Sequence, residues 1–270
     1  MTFIILVTVG FGTGFISSLL GIGGGFFIIE ASARLFPSLP PQTIAGSSLF
    51  FIFINSFVNV SNFWKRGLRP NWAILGPMIP LNLSGAVMGG LLTQSLQKET
   101  IRLLFATILV PAALGMLWGP LKSKDRGNDE GPLTPLIKWK ASLSGMIAGF
   151  TGGISGLGGG GIIAPLLIKI VKTPPKRVPL YSNCIIFTGT LSGSLTFFFM
   201  KTPWISNDHL RPFQFGQVNL GLSVLALFGS FISSPLGVSA SQKIPIEPLL
   251  KLLAILFLAT ALQIYWKTFN

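Results

Sequence analysis

Gly21-Ile22-Gly23-Gly24-Gly25 lies between two apolar runs, and Gly156-Leu157-Gly158-Gly159-Gly160-Gly161 repeats the arrangement in the second half of the chain. Glycine inside a helix costs about 1 kcal/mol relative to alanine, so a helix built only for stability would exclude it. Successive glycines let the backbone unwind and let a ligand approach the main chain. A helix that starts at such a break presents unpaired N–H groups and the positive end of its dipole. The competing use is close helix packing, for which small residues are common in membranes. Two breaks at equivalent places in two halves favour a site.

The match extends outward from the glycines. Setting Gly21 on Gly156 also sets Gly14 on Gly149, Phe15 on Phe150, and Gly23, Gly24 and Gly25 on Gly158, Gly159 and Gly160. With a one-residue shift, Pro41 falls on Pro175 and Ser48 on Ser182. Apolar segments run over about 3–20, 26–36, 43–64, 72–92 and 101–118, then over 139–155, 162–171, 180–200, 213–235 and 248–266. Both halves close on an aromatic-capped segment, at Trp118 and Trp266. The polar stretch between them reads as a linker. The expected organisation is a first membrane repeat over 1–120, a cytoplasmic linker over 121–138, and a second membrane repeat over 139–270.

Composition agrees. Of 270 residues, 50% are hydrophobic and 10% charged, with mean hydropathy +0.68; soluble domains carry about 25% charged residues. Runs of about 20 apolar residues fit helices crossing a hydrocarbon core of about 30 Å, where backbone groups need internal partners. No run alternates like a barrel strand. The expected fold is an all-α integral membrane protein: about ten hydrophobic segments in two inverted five-segment repeats, with glycine-rich broken or re-entrant helices near the midplane. The N-terminus lacks the basic region and cleavage site of a signal peptide. One cysteine, Cys184, and one histidine, His209, exclude an internal disulfide and argue against a metal site. No nucleophile–base–acid set and no Walker-type loop occurs, so neither an enzyme nor a cofactor is expected.

The net charge of +13 raises nucleic acid as a partner, but the basic residues cluster between apolar runs, as in cytoplasmic loops. With five segments per half, thirteen lysines and arginines fall on one side and five on the other. Four segments per half give nearly even sides. The asymmetry places the linker in the cytoplasm and both termini outside, in a cell (inner) membrane. An odd count makes the halves inverted.

The polar residues within the segments are the candidates for chemistry. Ser47, Ser48 and Asn55 in the third segment, and Tyr181, Ser182 and Asn183 in the eighth, could donate to an oxyanion without a buried cation. Ser48, Asn55, Asn59 and Asn62 share one helical face. The expected substrate site is formed by Ser47, Ser48, Asn55, Tyr181, Ser182 and Asn183 with Gly23, Gly24, Gly25, Gly158, Gly159 and Gly160. Interhelical hydrogen bonding is the alternative use of these side chains. Glu30 alone among the seven acidic residues follows an uninterrupted apolar run. An ionisable group there is a functional candidate, here for proton coupling. Arg34, four residues on, offers an ion pair instead.

Gly-x-Gly-Gly-Gly early in each half, Pro165 after the second copy, Ala45-Gly46-Ser47-Ser48-Leu49 and the weaker Val178-Pro179-Leu180-Tyr181-Ser182 resemble the sulfite exporter TauE/SafE family of membrane permeases. The resemblance covers nearly the whole chain. It implies export of sulfite, an organosulfonate or another sulfur oxyanion. Glu30 departs from it, standing where Pro165 stands in the second half, and so do Tyr181 and Asn183. The resulting expectation is a secondary transporter of a small anion, working by alternating access, with the lipid bilayer, a proton as coupling ion and a second copy of the chain as partners. A passive anion channel and a membrane-embedded assembly protein remain alternatives.

Overall fold

The computed structural model describes residues 2–117, 134–201, 211–244 and 246–269. Most of the linker, Trp118, and Asp208 with His209 lie outside these residues. Ten α-helices follow in order: α1 (Thr2–Leu20), α2 (Gly25–Leu35), α3 (Pro41–Lys65), α4 (Trp72–Gln94), α5 (Lys98–Leu117), α6 (Pro135–Ser155), α7 (Gly160–Leu166), α8 (Val178–Phe198), α9 (Leu220–Ser241) and α10 (Ile246–Phe269). The protein is an all-α, multi-pass membrane protein. Among the described residues, α1, α3, α4, α5, α9 and α10 are long and apolar enough to cross a bilayer. Helix α6 opens with Lys138 and Lys140, and α8 carries Tyr181, Ser182, Asn183, Thr188 and Thr190. Helix α8 tolerates these groups because most of it is enclosed by other helices. Leu252, Ile255 and Leu262 on α10, and Phe228, Ile232 and Leu236 on α9, are exposed, as suits side chains facing lipid.

The helix boundaries have local causes. Asn71 and Asn219 cap α4 and α9, their side chains accepting from the N–H groups of Ala73 and Leu222. Thr134 caps α6 with Pro135 behind it. The ninth segment starts at Leu220 rather than at 213 as the hydropathy suggests. Arg211–Phe213 form a 3-10 turn, and Gln214–Phe215 pair antiparallel with Val218–Asn219 across Gly216, whose φ is 54°. Asn219, as cap, sets the helix start. In α7, Pro165 removes the N–H that would bond the Gly161 carbonyl, and the helix continues as a π turn over Leu167–Val171.

Contacts fix the helix directions. Along α1 and α9, Gly10 meets Ala226, Gly14 meets Ser230, and Phe15 and Ser18 meet Gly237, so the two helices run parallel. Helices α4 and α6 are parallel too: Met78 meets Gly145, Asn82 meets Gly149 and Ala86 meets Gly153. The hydroxyls of Ser223, Ser230 and Ser234 donate to Ser47, Asn55 and Asn59 in turn, which sets α3 parallel to α9. Helices α3 and α8 oppose each other: Leu49 meets Gly193, Phe53 stacks on Phe187 at 5.3 Å, and Asn59 bonds Asn183. One set, α1, α3 and α9, therefore points one way. The contacts of Tyr181 with Asn71 and Thr188 with Asn82 add α8 to α4 and α6 in the other set. Since α1 and α3 share a direction, the chain returns through the first glycine break and α2. The close helix pairs α1–α9, α3–α8, α4–α6 and α5–α10 all join one half of the sequence to the other.

The α4–α6 seam depends on glycine at a spacing of four. A Cβ on Gly149 would lie 2.1 Å from the Asn82 carbonyl oxygen, whereas one on Gly12 would meet nothing within 4 Å. Overpacking of this kind costs about 1–3 kcal/mol or more. Gly149→Ala is expected to lower the unfolding temperature in detergent by several degrees, while Gly12→Ala leaves it unchanged or slightly higher.

Candidate functional site

The two glycine breaks have one geometry. Gly21, Gly23 and Gly24 have φ of 70°, 77° and 78°, and Gly156, Gly158 and Gly159 have 75°, 71° and 73°. These left-handed positions favour glycine. Each break also contacts the other. A Cβ on Gly25 would sit 2.9 Å from the Gly156 carbonyl oxygen and 3.0 Å from Leu157, and one on Gly160 would sit 2.0 Å from the Ile22 carbonyl oxygen. Gly21 abuts Pro179 and Ser182, and Gly156 abuts Ala45. These pairs are the same when the halves are exchanged. Ile52 and Ile186 cover Gly23, and Ile52 and Thr190 cover Gly158. The breaks are thus brought together, closed on one another in this state. Among the described residues, no acceptor takes the N–H groups of Gly23, Gly24, Gly158 or Gly159.

The serines beside the breaks differ. Ser48 donates to the Gly156 carbonyl at 2.9 Å. Ser182, its counterpart, is fully buried against Gly21 and its hydroxyl has no hydrogen-bond partner. A buried hydroxyl without a partner costs about 1–3 kcal/mol; among the described residues Thr13, Thr43, Ser56 and Thr173 share this state, and Ser182 is the one set against Gly21 at the first break.

Other candidates bind helices together. Ser47 accepts from the Asn219 N–H at 2.8 Å, and Tyr181 accepts from the Asn71 N–H at 2.7 Å. Each therefore pins the capped start of a fourth helix in the opposite half. The Asn55 amide donates to Ser17 at 2.9 Å and accepts from Ser230. Asn59 donates to Asn183 at 2.9 Å and Ser17 at 3.2 Å, and accepts from Ser234 at 2.6 Å. Asn183 donates to the Pro179 carbonyl at 2.8 Å. This fully buried network joins α1, α3, α8 and α9. The partners Ser17, Ser230 and Ser234 were not singled out by sequence, and neither was Asn82. Asn82 faces Gly189, the position equivalent to Asn55, and donates to the Gly145 carbonyl at 3.0 Å. For Ser230 and Ser234 the signal is small polar residues at helical spacing on α9, visible only once α9 is set against α3.

Glu30 pairs with Arg34 at 2.6 Å, the i,i+4 arrangement that the spacing offered. Both line a cavity of about 290 Å³ enclosed by α2, the start of α3, the start of α5 and the end of α10. Arg102, Thr260, Gln263 and Thr268 line it too, and it extends to Ala45 and Ser155 beside Gly156. The cavity therefore runs from one end of the helix bundle to the flank of the second break.

A family model described as sulfite exporter TauE/SafE matches residues 6–264. The chain belongs to the sulfite exporter TauE/SafE family. Similar proteins include a probable membrane transporter protein of Haemophilus influenzae, 28% identical over 98% of this chain and 99% of that relative. Another, of Methanocaldococcus jannaschii, is 29% identical over 89% of this chain and 86% of its own. The probable membrane transporter protein YunE of Bacillus subtilis is 23% identical over 99% of this chain and 98% of its own. No solved structure matches the chain. These matches make this TauE/SafE protein a membrane transporter.

The two kinds of polar residue in this TauE/SafE protein separate by stability. Asn59→Ala would remove the bonds to Ser234, Asn183 and Ser17, and interhelical bonds in membranes are worth about 0.6–1.7 kcal/mol each. It is expected to lower thermal stability in detergent clearly. Ser182→Ala, which removes an unpartnered hydroxyl, is expected to leave stability unchanged or raise it.

Proposed function

We propose that the protein is a secondary transporter that exports a small anion, most readily sulfite, an organosulfonate or another sulfur oxyanion, by alternating access between two inverted five-segment repeats. The observation that carries this reading is the contact of two identical left-handed glycine breaks beside a buried, unpartnered serine hydroxyl at Ser182. The antiparallel run of α3 against its counterpart α8 supports the inversion. On the charge count, the α2–α3 and α4–α5 turns, and hence the cavity mouth, face outside, and the linker faces the cytoplasm of a cell with this protein in its inner membrane.

In this proposal the anion sits where the breaks part, held by N–H groups of Gly23, Gly24 and Gly25 and of Gly158, Gly159 and Gly160 with the hydroxyls of Ser48 and Ser182. Ser47, Asn55, Tyr181 and Asn183 hold the helices that carry those groups. No covalent step and no cofactor is involved. Neutral donors suit a carrier, because they bind an anion without trapping it on a buried cation. The same glycines would let the breaks separate, since each is held against the other by van der Waals contact.

Glu30 gives a proton a defined effect. Among the described residues, the charged groups that line the cavity with it are Arg34, on its own helix, and Arg102, on α5. Protonating Glu30 releases Arg34 and leaves two uncompensated guanidiniums, so proton and anion binding favour one another, reciprocally.

Purified protein in liposomes should pass sulfite, thiosulfate, sulfate or a two-carbon sulfonate when a proton gradient is imposed, with no steady ionic conductance. Absence of flux for all four under proton and sodium gradients would contradict transport, and gradient-insensitive conductance would make it a channel. Glu30→Gln is expected to abolish the pH dependence of flux; an unchanged pH profile would leave the Glu30–Arg34 pair a purely structural one.

A further inference from the structure

The cavity beside Glu30 has features that a simple passage for an inorganic oxyanion does not require. Its volume is about 290 Å³, about twice what four or five heavy atoms occupy when a water takes about 30 Å³ of liquid. Its walls are mainly aliphatic and aromatic, with Ile29, Leu39, Ile44, Ile101 and Phe105 among them. Binding pockets for organic ligands have this make-up: apolar walls and a few placed polar groups that fix orientation. The charged groups are gathered from two helix ends. Arg34 is held by Glu30, while Arg102, which lines the same cavity, has no ion partner among the described residues. The local balance of two guanidiniums and one carboxylate is one positive charge. A guanidinium binds planar carboxylate or tetrahedral sulfonate oxygens through paired N–H groups.

We infer that this cavity is a binding site for an amphiphilic organic monoanion of a few carbons, its head on Arg102 and Arg34 and its hydrocarbon part against Ile44, Ile101 and Phe105. The inference rests on the transport reading only for the direction in which the site leads, toward Gly156; the binding itself stands apart from flux. Selection comes from the hydrocarbon part rather than from sulfur, so a carboxylate and a sulfonate of equal chain length bind alike. An inorganic dianion gains from the guanidiniums but leaves the apolar walls to water and is opposed by Glu30.

Equilibrium binding to the intact protein in a neutral detergent tests this by calorimetry with 1-butanesulfonate, butyrate and sulfate. The expected result is that butanesulfonate and butyrate bind within a few-fold of each other and at least tenfold tighter than sulfate. Arg102→Gln should weaken both by at least tenfold and Arg102→Lys by less. Arg102 is exposed, so its replacement does not threaten folding, and a far-ultraviolet spectrum verifies this. Sulfate binding as tightly as butanesulfonate, or an Arg102→Gln variant that binds like the parent, overturns the inference. So does loss of butanesulfonate binding in nanodiscs containing phosphatidylglycerol relative to neutral ones, which would make the ligand a lipid headgroup. Anion flux without this preference leaves the transport reading intact and defeats the inference; this preference without flux does the reverse.

Discussion

Backbone meets backbone where the two glycine breaks touch, and no side chain fits between them. Gly25 lies on Gly156 and Leu157, and Gly160 lies on Ile22. A Cβ at either place would penetrate a main-chain atom, and the left-handed φ values at six further glycines admit few other residues. Much of the surrounding structure serves this contact. The α1–α9 and α4–α6 seams hold the first helix of each half against the fourth helix of the other. Ser47 and Tyr181 lock the starts of α9 and α4. The asparagine–serine network fixes α3 between α1 and α9. In a low-dielectric interior such bonds are individually modest, but they converge on the helices that flank the breaks.

The halves are alike in backbone and unlike in side chains, and the differences fall at informative places. The amide of Asn55 on α3 has its equivalent position filled by Gly189, while Ser230 on α9 corresponds to Asn82 on α4. Large and small residues have changed places across the same contact, which keeps the packing and moves the polar group. Ser48 finds a carbonyl and Ser182 does not. Glu30 stands opposite Pro165 in the repeat: the first copy continues as a regular helix with an ion pair, the second loosens into a π turn. These substitutions leave the frame unaltered, and in the coupled transport proposed above they are where the two faces would respond differently.

The sequence made the helical frame legible because glycine repetition and segment length are each local or one-dimensional signals. The ten helices, the breaks and their proximity were all readable from it. The start of α9 was misplaced because Phe213, Phe215 and Val218, which extend the apolar run backward, are spent on a turn and a hairpin of two-residue strands, and only the capping geometry of Asn219 sets the boundary. The roles of Ser47, Asn55, Tyr181 and Asn183 were open for a different reason. A polar residue in an apolar segment looks the same whether it faces a ligand or a neighbouring helix, and only the placement of Ser17, Ser230, Ser234 and the capped N–H groups decides. The cavity was not readable at all, since it is assembled from α2, α3, α5, α6 and α10, which the fold alone brings together.

Alternating access between exchanged halves makes a demand that static packing does not. Ile44 lines the cavity, whereas its counterpart Val178 is completely buried. With Cys184, the single native cysteine, replaced by serine, membrane-impermeant thiol labelling of Ile44→Cys and Val178→Cys in sealed vesicles measures exposure on each side. Alternating access requires that Ile44→Cys label from the outside and Val178→Cys from the cytoplasmic side, with a transported anion raising one rate as it lowers the other. Labelling of both positions from the same side, or rates indifferent to the anion, would contradict it.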